Sequence, residues 1–280
     1  MTWCGGFAWA EEPVAVVLSS DAQPYAEALS GFKEKWGRDV PVQTLSDDNI
    51  RLPEQAKIIV TFGGRAAMRS YASRTTLIYG LAPALYLDRE KHSGPLAMVS
   101  VATAPKFLAA KLKEIQPSLR RLGVLWVTSN PSVEDYCDGL ERAAQGFAVR
   151  MDHLSTPDEL PAHLRALSGQ VDALWLLPDP ALITPSAFEV AKQFGRANSV
   201  PLYVPMDGLV EKGAVASIAP DFREMGRAAA QLAIAAAAGG AALGDMFPEK
   251  SFVTLNLTAA AQAGLKIPGP VIKNANRVVP

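Results

Sequence analysis

The chain has 280 residues, 49% hydrophobic and 20% charged, which is enough apolar material for the core of one or two globular domains. Its 27 basic and 28 acidic residues give a formal net charge of −1, without the basic excess that is typical of nucleic-acid-binding proteins or polybasic membrane anchors. The two cysteines, Cys4 and Cys137, have no metal-ligand spacing, and they exclude a disulfide framework.

The first ten residues are apolar and end in Ala8-Trp-Ala10, ahead of the polar Glu11-Glu-Pro13. Two small residues separated by one other residue, before a polar stretch, are the pattern of an export-signal cleavage site. We therefore interpret residues 1–10 as a signal-peptide remnant, which predicts a periplasmic protein. The alternative is an irregular start with a chance Ala-x-Ala.

Short apolar runs alternate with helical patterns in the first part of the chain. The predicted elements are strands at Val14–Leu18, 40–45, Ile58–Phe62 and 76–79, and helices at 24–36 and 65–72. The strands are continuous apolar runs, as expected when both faces of a sheet are covered. This β-α-β-α order predicts a parallel sheet with helices on both faces.

The same alternation starts again after Pro117. The predicted strands are 122–127, 148–154, 173–177, Leu202–Val204 and 215–218, and the predicted helices are 133–145, 157–167 and 185–197. Two α/β halves of similar size predict two doubly wound, Rossmann-like lobes with parallel sheets. An Ala-rich run over 225–243 contains Arg227, Gln231 and a Gly pair, so it predicts a packed helix rather than a membrane span.

Two such lobes are expected to direct the carboxyl ends of both sheets into a shared ligand cleft. Open α/β sheets bind their ligands at this edge. Helix N-termini at the same edge offer free N–H groups to anionic groups. The sequence therefore predicts a small, polar binding site between the lobes.

Five candidate ligand-binding residues follow or end strands of the first half. Ser19 and Ser20 come directly after the first strand, where they either cap the next helix or contact a ligand. Gly63 and Gly64 lie between a strand and a helix, where their backbone either meets a carboxylate or phosphate or forms a tight turn without a ligand. This turn is not a Gly-x-Gly-x-x-Gly motif, and it supports a nucleotide site only weakly. Tyr79 ends the fourth strand, and we expect it to line the same side of the ligand cleft as the other four residues.

Five further candidates follow strands of the second half. Ser129 and Asn130 either cap a helix or contact a ligand. Asp179 ends a strand, where its carboxylate suits either an ammonium group or a turn. Met206 and Asp207 follow the next strand, and Asp207 with its following glycine equally fits plain turn chemistry.

Catalytic and metal-binding motifs are absent from the sequence. His92, His153 and His163 have neither metal-ligand spacing nor an evident nucleophile partner. No Gly-x-Ser-x-Gly, His-Glu-x-x-His or Cys-x-x-Cys motif occurs. We predict a binding protein without a cofactor or a metal, and a small doubly wound enzyme is the alternative.

Several segments match motifs of one family. They are residues 58–67, the strand and turn Asp-Ala-Leu-Trp-Leu-Leu-Pro-Asp at 172–179, residues 200–208 with 221–227, and the C-terminal Asn-Leu-Thr-Ala-Ala-Ala-Gln-Ala-Gly-Leu-Lys-Ile-Pro at 256–268. Through them the chain resembles the ABC-transporter substrate-binding proteins of the tryptophan/tyrosine-binding type. The C-terminal half carries the more specific motifs.

The resemblance implies a type I periplasmic-binding-protein fold, whose chain crosses between its lobes near Thr103, Pro220 and Pro248. Lobe one is then 11–103 plus 221–248, and lobe two is 104–220 plus 249–280. The implied function is that of a monomeric solute-binding protein of an ABC importer. It binds an amino-acid-like or aromatic molecule by hinge closure and is recognised by a membrane permease. An exported sensor or accessory protein on the same scaffold is the alternative.

The chain departs from the family's pattern at several polar positions. Gly63-Gly64 replaces Gly-Thr, residues 81–86 replace an Asp-Pro-Val segment, Val127 replaces an Asn, and Met206 replaces a polar residue. These changes remove hydrogen-bond partners for an amino-acid backbone. The sequence therefore also allows a more apolar ligand or a repurposed scaffold.

Overall fold

The computed structural model of the chain describes residues 14–45, 56–83, 87, 92, 94–239 and 244–280. The chain forms two compact units, here called lobe one and lobe two. Lobe one comprises Met1–Ala82, Leu87–Ser100 and Phe222–Met246, and lobe two comprises Pro83–Tyr86, Val101–Asp221 and Phe247–Pro280. The predicted signal-peptide remnant lies outside the described residues. The crossings between lobes that were predicted near Thr103, Pro220 and Pro248 stay predictions.

The helices and strands are numbered in chain order over the described residues. They are β1 Val14–Leu18, α1 Gln23–Trp36, β2 Val42–Thr44, β3 Ile58–Phe62, α2 Gly64–Ala67, β4 Thr76–Gly80, β5 Leu96–Val99, α3 Pro105–Ile115, β6 Arg121–Trp126, α4 Pro131–Ala143, β7 Ala148–His153, α5 Leu160–Leu167, β8 Ala173–Leu176, α6 Pro185–Asn198, β9 Leu202–Val204, β10 Ala216–Pro220, α7 Phe222–Ala237, β11 Ser251–Asn256, α8 Leu257–Gln262, α9 Gly269–Asn274 and β12 Arg277–Val279. Short 3₁₀ turns at Pro157–Glu159 and Asp207–Leu209 precede α5 and follow β9.

The sheet of lobe one has the order β2-β1-β3-β4-β5 within the described residues, and every neighbouring pair is parallel. All residues of β1 and β3 are buried, because helices cover both faces of the sheet. The strand order reverses between β1 and β3. The loops that follow β1 and β3 therefore leave a crevice between them at the carboxyl ends of these two strands.

Helices α1 and α7 pack against each other at two glycines. A Cβ atom on Gly226 would lie 1.8 Å from the carbonyl oxygen of Ala28, and one on Gly31 would lie 1.9 Å from the carbonyl oxygen of Arg223. The two backbones approach this closely only because neither glycine has a side chain. Glu34 of α1 pairs with Arg223 and Arg227 of α7 beside this contact.

Helix α7 contains most of the Ala-rich run over 225–243, which was predicted to be a packed helix. Most of its alanines are buried against lobe one. No helix in the described part of the chain combines the length and apolarity that a membrane crossing requires.

The sheet of lobe two has the order β12-β11-β10-β9-β8-β6-β7. The strands from β7 to β10 are parallel, but β11 runs antiparallel to β10, with Ala216 opposite Leu255. This antiparallel pair was not predicted, because residues 251–256 were not assigned to a strand. The core lies on both faces of the sheet and includes the fully buried Trp175 and Tyr203.

Candidate functional site

Each lobe has one place where the strand order reverses. It lies between β1 and β3 in lobe one and between β6 and β8 in lobe two. The chains that leave two such strands turn to opposite faces of the sheet and leave a crevice at the carboxyl ends, which is where open α/β sheets bind ligands. We define the lobe-one edge as residues 19–20, 63–65 and 79–82, and the lobe-two edge as residues 127–130, 177–179 and 205–208.

Ser19 connects the two loops of the lobe-one edge. Leu18 pairs with Phe62 in register, so the loops after β1 and β3 begin side by side. The Ser19 side chain is buried, and its Oγ accepts a hydrogen bond of 2.9 Å from the N–H of Ala66 in α2. This bond satisfies an N–H of the first helical turn that has no partner within the helix.

Gly63 lies directly against Ser19. A Cβ atom on Gly63 would be 2.4 Å from the Ser19 Oγ and 2.9 Å from the ring of Tyr25. The backbone of Gly63 has φ +99° and ψ 150°, a combination that is essentially restricted to glycine. Both the space and the backbone conformation therefore require glycine at this position.

Gly64 has open space beside its backbone, unlike Gly63. No atom lies within 4 Å of the position that its Cβ would occupy. Ser20 accepts a hydrogen bond of 3.3 Å from the N–H of Ala22, and the buried Tyr79 accepts one of 3.4 Å from the N–H of Leu87. The structure thus brings Ser19, Gly63 and Gly64 together, with Ser20 next in the chain and Tyr79 near the end of β4.

Asp179 connects the two loops of the lobe-two edge. It is 4% exposed, and its Oδ2 accepts hydrogen bonds of 2.7 Å from the N–H groups of both Val127 and Thr128. Its Oδ1 accepts one of 2.8 Å from the Thr128 hydroxyl and one of 3.0 Å from the N–H of Ala181. Asp179 therefore does in lobe two what Ser19 does in lobe one, since each side chain links the loops on the two sides of the reversal.

The predicted residues Ser129 and Asn130 lie at the start of α4. The Asn130 Oδ1 accepts a hydrogen bond of 3.0 Å from the N–H of Val133 and caps the helix. The Ser129 hydroxyl donates to a carboxylate oxygen of Glu134 at 2.9 Å. The helix-capping interpretation of Asn130, which the sequence left open, is thus what the structure contains.

Met206 and Asp207 follow β9, the neighbour of β8 in the sheet. The Met206 side chain is 45% exposed. Asp207 begins a 3₁₀ turn, and its carboxylate accepts a hydrogen bond from the hydroxyl of Ser217, which is buried on β10. Asp207 is therefore directed toward the protein rather than outward.

Sequence reasoning did not identify three residues that belong to these edges or lie next to them. Thr128 donates its hydroxyl to Asp179, and the polar run Thr-Ser-Asn after β6 was an available signal for it. Trp126 ends β6 with its ring 5.5 Å from that of His153. Leu81 follows β4 with φ +54°, an uncommon conformation for a residue with a branched side chain, and nothing in the local sequence indicates it.

The hydroxyl and backbone groups at the edges suit hydrogen bonding. The cysteine in α4, Cys137, lies outside the edges and is not an activated nucleophile. Burial raises the pKa of the Cys137 thiol to about 12, with a further increase from the carboxylates of Asp138 and Glu134. This thiol is therefore protonated at neutral pH and is a poor nucleophile. Within the ranges that the structure describes, no three His, Cys, Asp or Glu side chains are grouped to hold a metal ion.

Residues 109–279 match the family of ABC transporter substrate binding proteins, and this match covers more than half of the chain. The chain belongs to this family. The predicted family is thereby confirmed. No curated protein sequence matches the chain.

Three solved structures similar to this chain show the same two-lobe fold. One is an ABC domain from Streptococcus pneumonia in complex with L-Trp, with 18% identity, a TM-score of 0.62, and coverage of 95% of this chain and 99% of that one. A conserved domain protein from Vibrio cholerae has 16% identity, a TM-score of 0.61 and coverage of 95% and 99%. A substrate-binding protein with adhesive properties from Clostridium difficile, in its ligand-free, open structure, has 15% identity, a TM-score of 0.62 and coverage of 95% and 98%. These similarities confirm the predicted fold class, a type I periplasmic-binding-protein fold with parallel sheets.

Proposed function

We propose that the chain is the periplasmic solute-binding protein of an ABC importer. It binds a small molecule at the lobe-one and lobe-two edges, closes about a hinge, and is then recognised by the membrane permease. The family match over residues 109–279 carries this proposal. The structurally similar protein in complex with L-Trp supports an amino-acid-like or aromatic solute.

We infer hinge closure from the contacts that a solute would make with both lobes. A solute that contacts both lobes has more contacts in the closed state, so its binding shifts the population toward closure. The ten residues predicted to bind the ligand stay predictions. Gly64 is the one we use to test them, because it has open space above it.

A screen for solutes that raise the melting temperature tests the proposal, with a panel of amino acids, nucleosides and aromatic acids. Binding to the folded state alone contributes about 2.7 kcal/mol at a solute concentration of 100 times Kd. We expect at least one solute to raise Tm by roughly 5 °C or more at that concentration.

Gly64→Trp is expected to abolish this rise by filling the lobe-one edge, while it leaves the melting temperature without solute nearly unchanged. Gly269→Trp is the matched control, because Gly269 also has open space around its Cβ position and lies at the start of α9, outside the residues that define the two edges. A panel without a single stabilising solute, or full binding by Gly64→Trp, would contradict the proposal.

The hinge has a candidate anchor in lobe two. Thr103 is 1% exposed, and its hydroxyl donates a hydrogen bond of 3.0 Å to the carbonyl of Ile218. Because that donation uses its single proton, it accepts from the Ser251 hydroxyl at 3.0 Å. The carbonyl of Thr103 accepts from the buried Tyr136 hydroxyl at 3.0 Å. Thr103 therefore joins the beginning of the stretch Val101–Asp221 to its end at Ile218 and to the beginning of the stretch Phe247–Pro280 at Ser251.

Thr103→Val is expected to loosen this anchor, while Thr103→Ser keeps it. Loss of the hydroxyl leaves the Ile218 carbonyl without this donor, so we expect a loss of about 1–3 kcal/mol in stability. We also expect a broader distribution of inter-lobe distances in the ligand-free protein.

Double electron–electron resonance measures that distribution between nitroxide spin labels at Lys35→Cys and Lys273→Cys, in a Cys4→Ser background. The buried, protonated Cys137 is expected to remain unlabelled. Equal widths for wild type and Thr103→Val would show that Thr103 does not restrain the hinge.

A further inference from the structure

The lobe-two edge holds two acidic side chains, and both are bonded within the protein. A carboxylate has about four lone-pair positions, and the four hydrogen bonds to Asp179 occupy that number. Asp207 accepts from the buried Ser217. An ammonium group needs a carboxylate with accessible lone pairs, so Asp179 is poorly suited to bind one.

The hydroxyl and amide side chains of this edge are also engaged. Thr128 donates its proton to Asp179, and Ser129 donates its proton to Glu134. The side-chain oxygen of Asn130 accepts from the start of α4. These side chains shape the loops instead of presenting charge to a solute.

Met206 is different from these residues, because its apolar side chain is 45% exposed between β9 and the following 3₁₀ turn. A thioether side chain is unbranched and polarisable, so it adapts to apolar and aromatic groups of different shapes. Met206 follows β9, which lies beside β8 in the sheet, so its side chain lies at the same carboxyl edge as Asp179, one strand away from the reversal.

We infer that the lobe-two edge recognises an uncharged, apolar part of the solute. Met206 makes the contact, and Asp179 is a positioning residue that fixes residues 127–130. This inference rests on the proposed function and narrows its ligand class: the solute carries no ammonium group toward lobe two.

Matched amine and alcohol pairs test the ligand class by titration calorimetry. The probes are tryptamine and tryptophol, phenethylamine and phenethyl alcohol, and isoamylamine and isoamyl alcohol. At pH 7 the amine of each pair is charged and the alcohol is not. We expect at least one alcohol to bind at least tenfold more tightly than its amine, and Met206→Ala to weaken that alcohol about tenfold.

An amine that binds as tightly as its alcohol would overturn the inference but leave solute binding intact. The same holds if none of the six probes binds while a charged solute of the thermal panel does. If no solute of either panel binds, the proposed function fails together with the inference. The two failures are therefore distinguishable.

Asp179→Asn separates positioning from direct contact. If Asp179 acts only through the loop, this variant weakens the alcohol and the amine by the same factor, and their Kd ratio is unchanged. If Asp179 binds an ammonium group, the amine loses more affinity than the alcohol, which overturns the assignment.

Hydrogen exchange tests the positioning role without any ligand. Removal of the carboxylate in Asp179→Ala leaves the N–H groups of Val127 and Thr128 without this acceptor. We expect these two amides to exchange at least tenfold faster in Asp179→Ala. Asp135→Ala removes an exposed carboxylate on α4 and is expected to leave them unaffected. Unchanged exchange in Asp179→Ala would show that Asp179 does not hold the loop.

Discussion

Replacing Gly63 by alanine is expected to destabilise lobe one by about 3 kcal/mol or more and to abolish solute binding. The backbone at φ +99° and ψ 150° costs a residue with a side chain about 1–3 kcal/mol. The added methyl group would also overlap Ser19, which lies 2.4 Å from the Cβ position, and such overpacking costs about 1–3 kcal/mol more. Relief of either strain moves Ser19 away from Ala66.

Chemical denaturation and the thermal-shift assay measure both effects of Gly63→Ala. Gly64→Ala is the matched control in the adjacent position, because its Cβ meets open space and its backbone is helical. The control is expected to change stability by less than about 1 kcal/mol. If Gly63→Ala is as stable as Gly64→Ala and binds solute normally, the close contact between the two loops is not a requirement of the site.

Replacing Gly226 by alanine is expected to be similarly costly. The new Cβ would lie 1.8 Å from the Ala28 carbonyl oxygen and 2.7 Å from the Phe32 nitrogen, which are backbone atoms of α1 and cannot rotate away. The two helices must therefore separate. We expect a loss of about 3 kcal/mol or more, which the better helix propensity of alanine, worth about 1 kcal/mol, does not offset.

Denaturation followed by circular dichroism measures the effect of Gly226→Ala. Gly269→Ala is a suitable comparison, because Gly269 is also in a helix and has nothing within 4 Å of its Cβ position. The ion pairs of Glu34 with Arg223 and Arg227 remain possible in both variants. A denaturation midpoint equal to that of Gly269→Ala would show that the helices tolerate a wider spacing than the structure has.

The parallel strands were the most predictable part of the fold. β1 and β3 are continuous apolar runs because both faces of the sheet are covered, and such runs are visible without any knowledge of tertiary contacts. β5, β11 and β12 were missed. β5 and β12 have only four and three residues, and β11 mixes apolar with polar residues instead of forming a continuous apolar run. A strand of this kind exists only through its neighbour in the sheet.

Helix α2 illustrates how tertiary contacts overrule local propensity. The sequence predicted a helix over 65–72, but the helix ends at Ala67. The carbonyl of Ala66, which would accept the N–H of residue 70 in a longer helix, instead accepts a hydrogen bond of 2.7 Å from the Tyr71 hydroxyl. The Ala-rich pattern contains no signal of this competition.

The candidate site was predictable in position but not in its internal bonding. Strand ends indicated Ser19, Gly63 and Asp179 correctly as residues at the carboxyl edges. Val127 and Thr128, which donate to Asp179, are more than fifty positions earlier in the chain, and a single sequence contains no information on such a pairing. The ammonium and turn interpretations of this carboxylate were therefore indistinguishable until its four donors were known.

The pairing of α1 with α7 has a consequence for biosynthesis. Residues 23–36 leave the ribosome long before residues 222–237, and all of residues 101–221 are synthesised in between. The face of the early helix around Gly31 must therefore remain uncovered until residues 222–237 have been synthesised. The core of lobe one is completed only after residues 101–221 of lobe two have left the ribosome.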